Sequence, residues 1–185
     1  MVSNSCDAST YYSSLSSDDL DGTNTGGALQ ATLQALLEST HTNVVPYTST
    51  ATDCWNALEV LDKDPASETD VILIYKLTPE PFSAQGVPSG WNREHVWPKS
   101  YGVGHDGPDT SDLHSLRAAD WSVNSCRSNR YYAGGDLARS IFYMAARYDG
   151  GETDTADLSI TDCPCLSTNT MGLLSDLLQV RSEWV

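Results

Sequence analysis

Residues 90–99 read GWNREHVWPK and set Glu94 directly before His95, between Trp91 and Trp97, with Pro98 closing the stretch. In a regular strand neighbouring side chains point to opposite faces. The pair therefore serves two different environments or sits where the strand has lost its regularity. Further along, DWSVNSCRSNRYY (120–132) carries Asn124, Arg127, Asn129 and Arg130. A carboxylate with an amide oxygen is a hard, oxygen-only ligand set, suited to Mg2+ or Ca2+ with water and substrate phosphate completing the coordination. A neutral imidazole beside such an ion suits activation of a water, and arginines suit a phosphate. Together these residue types specify metal-assisted hydrolysis of a phosphodiester. Competing chemistries lack their residues: there is no GxSxG, no HExxH and no Gly-rich phosphate loop with lysine.

These groups need elements to hold them. GGALQATLQALLEST (26–40) and TATDCWNALEVLD (50–62) have the apolar rhythm of helices. DVILIYKL (70–77) is a continuous apolar run and reads as a buried strand. Residues 78–90 hold three prolines and two glycines and read as a loop. WNREHVWP is β-prone and stopped by Pro98, SYGVGHDGPDTS (100–111) is turn material, and DLHSLRAA (112–119) reads as strand or extended chain. Asp120 is placed to cap a short helix. GDLARSIFYMAARYDGG (135–151) is the clearest helix, with Asp136 as its cap and Gly150 and Gly151 closing it. TMGLLSDLLQVRSEW (170–184) reads as a last amphipathic helix, and residues 1–26 as an irregular acidic arm. The expectation is an α+β fold: one helix-rich domain spanning 1–185 around a small sheet.

The chain has 185 residues, 39% of them hydrophobic, with 25 Asp plus Glu against 10 Lys plus Arg and a formal charge of -15. That balance argues against nucleic-acid binding through a broad basic face and suits a protein working in salt. The first 62 residues contain no Lys or Arg, whereas seven cations lie within 93–147. An anionic substrate would be handled locally, in the middle of the chain. The five cysteines, Cys6, Cys54, Cys126, Cys163 and Cys165, form no CxxC pair. They read as two disulfides and one leftover thiol in an oxidising compartment, the alternative being five reduced cysteines. No apolar run approaches the roughly 20 residues needed to span a membrane. No signal peptide is visible, and the cysteines favour a secreted or periplasmic protein whose sequence starts after a cleavage site.

NREHVWPKSYG followed by DLHSLRAADWSVNSCRSN resembles the endonuclease I family of secreted, sugar-non-specific nucleases, within the His-Me finger or ββα-metal nucleases. The strong similarity covers about residues 91–132. The resemblance implies His95 as general base, Glu94 and Asn124 as metal ligands, Mg2+ as the cofactor with Ca2+ or Mn2+ as alternatives, and a backbone irregularity that lets Glu94 and His95 serve one metal and one water. It also implies DNA and RNA as substrates, cleaved to 5′-phosphate products. Trp91 and Trp97 are then packing residues. Relatives carry an Arg-containing insertion before the DLH segment, whereas SYGVGHDGPDTS has no arginine. Arg127 takes the transition-state role by default, and Arg93, Arg127 and Arg130 are the substrate-binding candidates. His114 is expected to be a structural hydrogen-bonding residue, and His41 and His105 incidental. Relatives also continue past the last helix, so a truncation or a shorter subfamily is expected. A monomer without an obligate protein partner or membrane attachment is expected. The alternative readings are a nuclease-fold binding module with a weakened site and an acidic scaffold with reduced cysteines.

Overall fold

A computed structural model describes residues 8–20, 27–131, 134–164 and 168–180. The chain divides into two compact units, Met1–Asn43 and Val44–Val185.

The first unit contains α1 (Ala8–Tyr11), α2 (Ser17–Leu20) and α3 (Gly27–Thr40). The expected irregular arm thus holds two short helices; residues 1–7 and 21–26 lie outside the described residues. Ser16 and Asp19 start α2 by capping each other: the Ser16 amide donates to Asp19 Oδ2 at 2.8 Å and the Asp19 amide to Ser16 Oγ at 3.2 Å. The same small polar residues that make the arm look irregular are the ones that begin helices.

The second unit mixes helices with three two-stranded sheets. Its α4 (Cys54–Leu61) begins at a full capping box between Asp53 and Asn56. Strand β1 (Asp70–Ile72) pairs antiparallel with β2 (Pro79–Pro81). DVILIYKL is therefore only partly strand, and the proline-rich segment after it is not all loop. Both differences have one cause: proline lacks the ladder donor, so its strand stays short and at an edge. Beyond Ile72 the chain turns, reaching Leu77 at φ 52° and exposed to solvent, while Leu73 is still fully buried. The apolar run reports burial rather than strand.

Strand β3 (Trp91–His95) pairs antiparallel with β4 (Leu116–Asp120), and α5 (Trp121–Arg127) follows without a loop. Asp120 makes that junction, its Oδ1 accepting from the amides of Ser122 at 2.9 Å and Val123 at 3.0 Å. Lys76 neutralises the same carboxylate at 2.9 Å. The long α6 (Gly135–Arg147) is capped by Gly134 instead of Asp136, which lies in the first turn where the helix dipole favours a negative charge. It ends at Arg147 with Tyr148 as cap, and Gly150 and Gly151 form the positive-φ turn beyond. Parallel β5 (Ser159–Ile160) and β6 (Thr170–Met171) precede α7 (Leu174–Val180), so the expected last helix begins as a short strand; its residues 181–184 lie outside the described residues.

The β3–β4 hairpin stands between two cores. Trp91, Leu116 and Ala118 join Cys54, Leu58, Val71 and Leu73, whereas Val96 and Trp97 join the α6 side chains Leu137, Ile141 and Met144. Trp91 and Trp97 are both fully buried, and their indole N–H groups donate to Pro81 O at 3.0 Å and Tyr101 O at 2.7 Å. They pin the two ends of the segment that carries Glu94 and His95. Cys54, Cys126 and Cys163 are free thiols, so the expected two disulfides are not formed; Cys6 and Cys165 lie outside the described residues. Cys54 packs in the core near the Val45 and Ser111 carbonyls, where it behaves as a small apolar residue. Among the described residues no helix is long and apolar enough to cross a membrane.

Candidate active site

The expected break in the strand at Glu94 and His95 is absent. Glu94 pairs with Arg117 and His95 with Leu116 in an unbroken antiparallel register. The two side chains leave opposite faces of β3, and each face has its own neighbours. What reunites them is position: among the described residues, beyond the bridge between Gln85 and Trp91, β3 has a partner only along its β4 side. Both faces therefore reach a groove of about 340 Å³, lined by Arg93, Glu94, His95, Pro98, Lys99, Asn124, Ser125, Arg127, Ser128 and Asn129.

On the α5 face, Asn124 Nδ2 donates to Asn92 Oδ1 at 2.7 Å. One helical turn later Arg127 forms an ion pair with Glu94 and also donates to the carbonyls of His95 at 3.3 Å and Val96 at 2.9 Å. The spacing of Asn92 and Glu94 on a strand matches that of Asn124 and Arg127 on a helix, so the two contacts lock helix to strand. Glu94 is 2% exposed as a residue, and its Oε1 takes a second hydrogen bond from the Tyr75 hydroxyl at 2.8 Å. Burial pushes the Glu94 carboxyl up, and Arg127 and Tyr75 pull it back. Both hydrogen bonds fall on Oε1, which leaves Oε2 for another partner.

The opposite face is aromatic and cationic. His95 Nε2 lies 3.0 Å from the Thr110 carbonyl oxygen. A carbonyl can only accept, so Nε2 carries the proton and Nδ1 keeps its lone pair. Burial pushes the imidazole down to about 3, with the nearby Lys99 charge adding to the effect. His95 is thus neutral at pH 7, with the Nδ1 lone pair unprotonated. Thr110 is itself fixed: its amide donates to Asp109 Oδ1 at 2.9 Å, and its hydroxyl donates to Val103 O at 3.3 Å and Asp106 O at 3.2 Å. Tyr47 stands 5.5 Å from the His95 ring, with the Arg93 guanidinium stacked 3.6 Å above it and Lys99 Nζ at 4.5 Å. Arg93 is held further by Trp55 at 4.3 Å, the Tyr47 carbonyl and Thr48 Oγ1 at 3.2 Å.

The structure therefore brings Arg93, Glu94, His95, Asn124 and Arg127 to one groove. Arg130 is exposed and does not line it. His114 is a structural residue, its Nδ1 3.0 Å from Asp112 Oδ1 and its ring stacked on Tyr143 at 3.8 Å. Buried Asp112 also accepts from the Tyr148 hydroxyl at 2.8 Å, which ties the loop before β4 to the end of α6. Sequence reasoning missed Tyr47, Tyr75, Thr110 and Lys99. Thr110 acts through its backbone carbonyl and has no side-chain signature. Tyr75 carried a usable signal, as a hydroxyl inside an otherwise apolar run.

The donor set fits a hard divalent cation. Among the described residues no three His, Cys, Asp or Glu side chains cluster as a cage. Glu94 Oε2 and the Asn124 amide oxygen are a minimal oxygen pair that leaves most positions to water and substrate, the arrangement Mg2+ tolerates best.

The family model described as Endonuclease I matches residues 25–134. An extracellular ribonuclease of Bacillus amyloliquefaciens is 36% identical over 99% of this chain and 68% of its own length. An extracellular ribonuclease of Bacillus subtilis (strain 168) is 37% identical over 84% of this chain and 59% of its own length. No solved structure matches the chain.

Proposed function

The chain belongs to the endonuclease I family, a family of nucleases, and from that premise we propose that it is a secreted, divalent-metal-dependent endonuclease. Its substrates are DNA and RNA without sequence preference, and its products carry 5′-phosphates. The observation that carries this reading is the groove at the open edge of β3. There a histidine with a free, unprotonated Nδ1 meets a buried carboxylate and an amide oxygen. The strand–strand–helix order from Trp91 to Arg127 is then the ββα-metal unit.

Each residue has a distinct task. His95 Nδ1 takes a proton from the water that attacks phosphorus opposite the leaving 3′ oxygen. Thr110 holds Nε2 and so fixes the tautomer and ring orientation. Glu94 and Asn124 would hold the cation, Mg2+ in the first instance, which would supply positive charge against that developing on the phosphate. Tyr75 and Arg127 keep the Glu94 carboxylate turned and ionised. The substrate class follows from chemistry that addresses phosphate rather than base edges; the names of the Bacillus relatives support RNA as one substrate and secretion as the destination.

Incubation with supercoiled plasmid and with RNA, each with Mg2+ or with a chelator, tests the proposal. Degradation of both polymers with Mg2+ and neither with chelator is expected. Cleavage confined to one short sequence, or undiminished cleavage with chelator, contradicts it.

A further inference from the structure

The cations around the groove differ in what their donors are already doing. Arg127 is committed to the protein through its Nη atoms, which bind Glu94 and the carbonyls of His95 and Val96; its side chain is 7% exposed, and its Nε is buried without a partner among the described residues. Arg93 is sandwiched between Tyr47 and Trp55 and donates to the Tyr47 carbonyl and Thr48. Lys99 is different. It lines the same groove, and its ammonium rests on the Tyr47 ring at 4.5 Å without an ion pair or hydrogen bond to any described residue.

We propose that Lys99 is the groove's substrate-phosphate contact, its ammonium donating to a non-bridging oxygen of the polynucleotide backbone, while Arg93 and Arg127 build the walls. The inference rests on the nuclease reading of the same groove. Position supports it: Pro98 and the 3-10 turn Lys99–Tyr101 place the residue just past the end of β3, and the buried indole of Trp97 binds the Tyr101 carbonyl and fixes that turn. Electrostatics support it as well. Burial and the neighbouring Arg93 charge push the Lys99 ammonium down, with Asp106 opposing. A phosphate arriving there relieves a crowded positive charge instead of displacing an existing partner, whereas Arg127 would have to give up Glu94 to do the same.

The test compares wild type with Lys99→Gln, Lys99→Arg and, as a control remote from the groove, Lys63→Gln. Steady-state cleavage of RNA and plasmid is measured, and binding of the same polymers is measured against salt in the His95→Ala background. Lys99→Gln is expected to lower kcat/KM by about 10- to 100-fold, the usual effect of losing a hydrogen bond to a charged group. It should also reduce the slope of log binding constant against log salt by about one. Lys99→Arg should restore most of both, which a merely structural role for the side chain would not predict. Lys63→Gln should match wild type. Unchanged kcat/KM and salt slope in Lys99→Gln, with wild type active, overturn the assignment and leave the nuclease reading standing. Wild type that neither cleaves nor binds either polymer overturns both. Loss of activity in Lys99→Gln with an unchanged salt slope and no rescue in Lys99→Arg assigns the residue to packing and overturns the contact.

Discussion

The two faces of strand β3 solve opposite electrostatic problems. On the α5 side a carboxylate, Glu94, is buried and must stay charged, so Arg127 and Tyr75 are brought against it. On the Tyr47 side an imidazole, His95, is partly buried and must stay neutral, so it meets a carbonyl, an aromatic ring and two cations, and among the described residues no carboxylate hydrogen-bonds to it. Two adjacent residues with opposite needs are best placed on the two faces of one strand, provided the strand has an open edge where both can reach the same ligand.

Substitutions that disturb one face should leave the other's signature intact. The largest structural effect is expected from Arg127→Met. It strands Glu94 as an uncompensated buried charge, at a cost of about 3–5 kcal/mol in unfolding free energy by urea denaturation. A loss below about 1 kcal/mol would mean that the ion pair is solvated and supports little. Arg127→Met with Glu94→Gln should recover part of the loss, because the stranded charge is gone.

A smaller effect concerns pH. His95 has a folded-state pKa of about 3, below the unfolded value of about 6.5. Between those values the unfolded chain holds a proton on His95 that the folded chain does not, so its contribution falls as pH falls below about 6.5. Wild type should therefore lose stability on acidification relative to His95→Gln, measured by paired melts. The difference between the two proteins carries the effect, because Asp109, pushed up to about 7 by burial, takes up its proton in the folded state over the same range and opposes it. Parallel curves would show that His95 titrates near its ordinary value.

The smallest effect is expected from Tyr75→Phe. It removes one hydrogen bond to Glu94 Oε1 and should cost about 1 kcal/mol of stability, with weaker Mg2+ binding by calorimetry and no change in the Thr110–His95 contact. Equal Mg2+ affinity in wild type and variant would remove Tyr75 from the site.

The legible parts of this molecule are those whose cause is local. The helices 27–40 and 54–61 follow from apolar rhythm, and the Asp120 junction from one capping side chain next to a strand. Glu94, His95, Asn124 and Arg127 could be picked out by type and order, but not the way they meet. A broken strand was expected where the structure has a regular one at an edge, because edge position is a property of what pairs with the strand and not of its residues. Tyr47 and Thr110 reach His95 from loops, by a ring face and a carbonyl, and neither leaves a spacing pattern. DVILIYKL misled for the same reason: burial is written in the residues, but its strand stops where its proline-limited partner stops.

The division of labour across β3 is tested most directly by Mg2+ titration of His95→Ala beside Glu94→Gln, with cleavage rate and calorimetric Mg2+ affinity read on each. His95→Ala should lose about 10²- to 10⁴-fold in rate, bind Mg2+ as wild type does, and gain nothing from excess metal. Glu94→Gln should bind Mg2+ more weakly and recover part of its rate as the metal is raised. A His95→Ala defect that disappears in excess Mg2+, or a Glu94→Gln protein that binds Mg2+ as wild type does, would contradict the account.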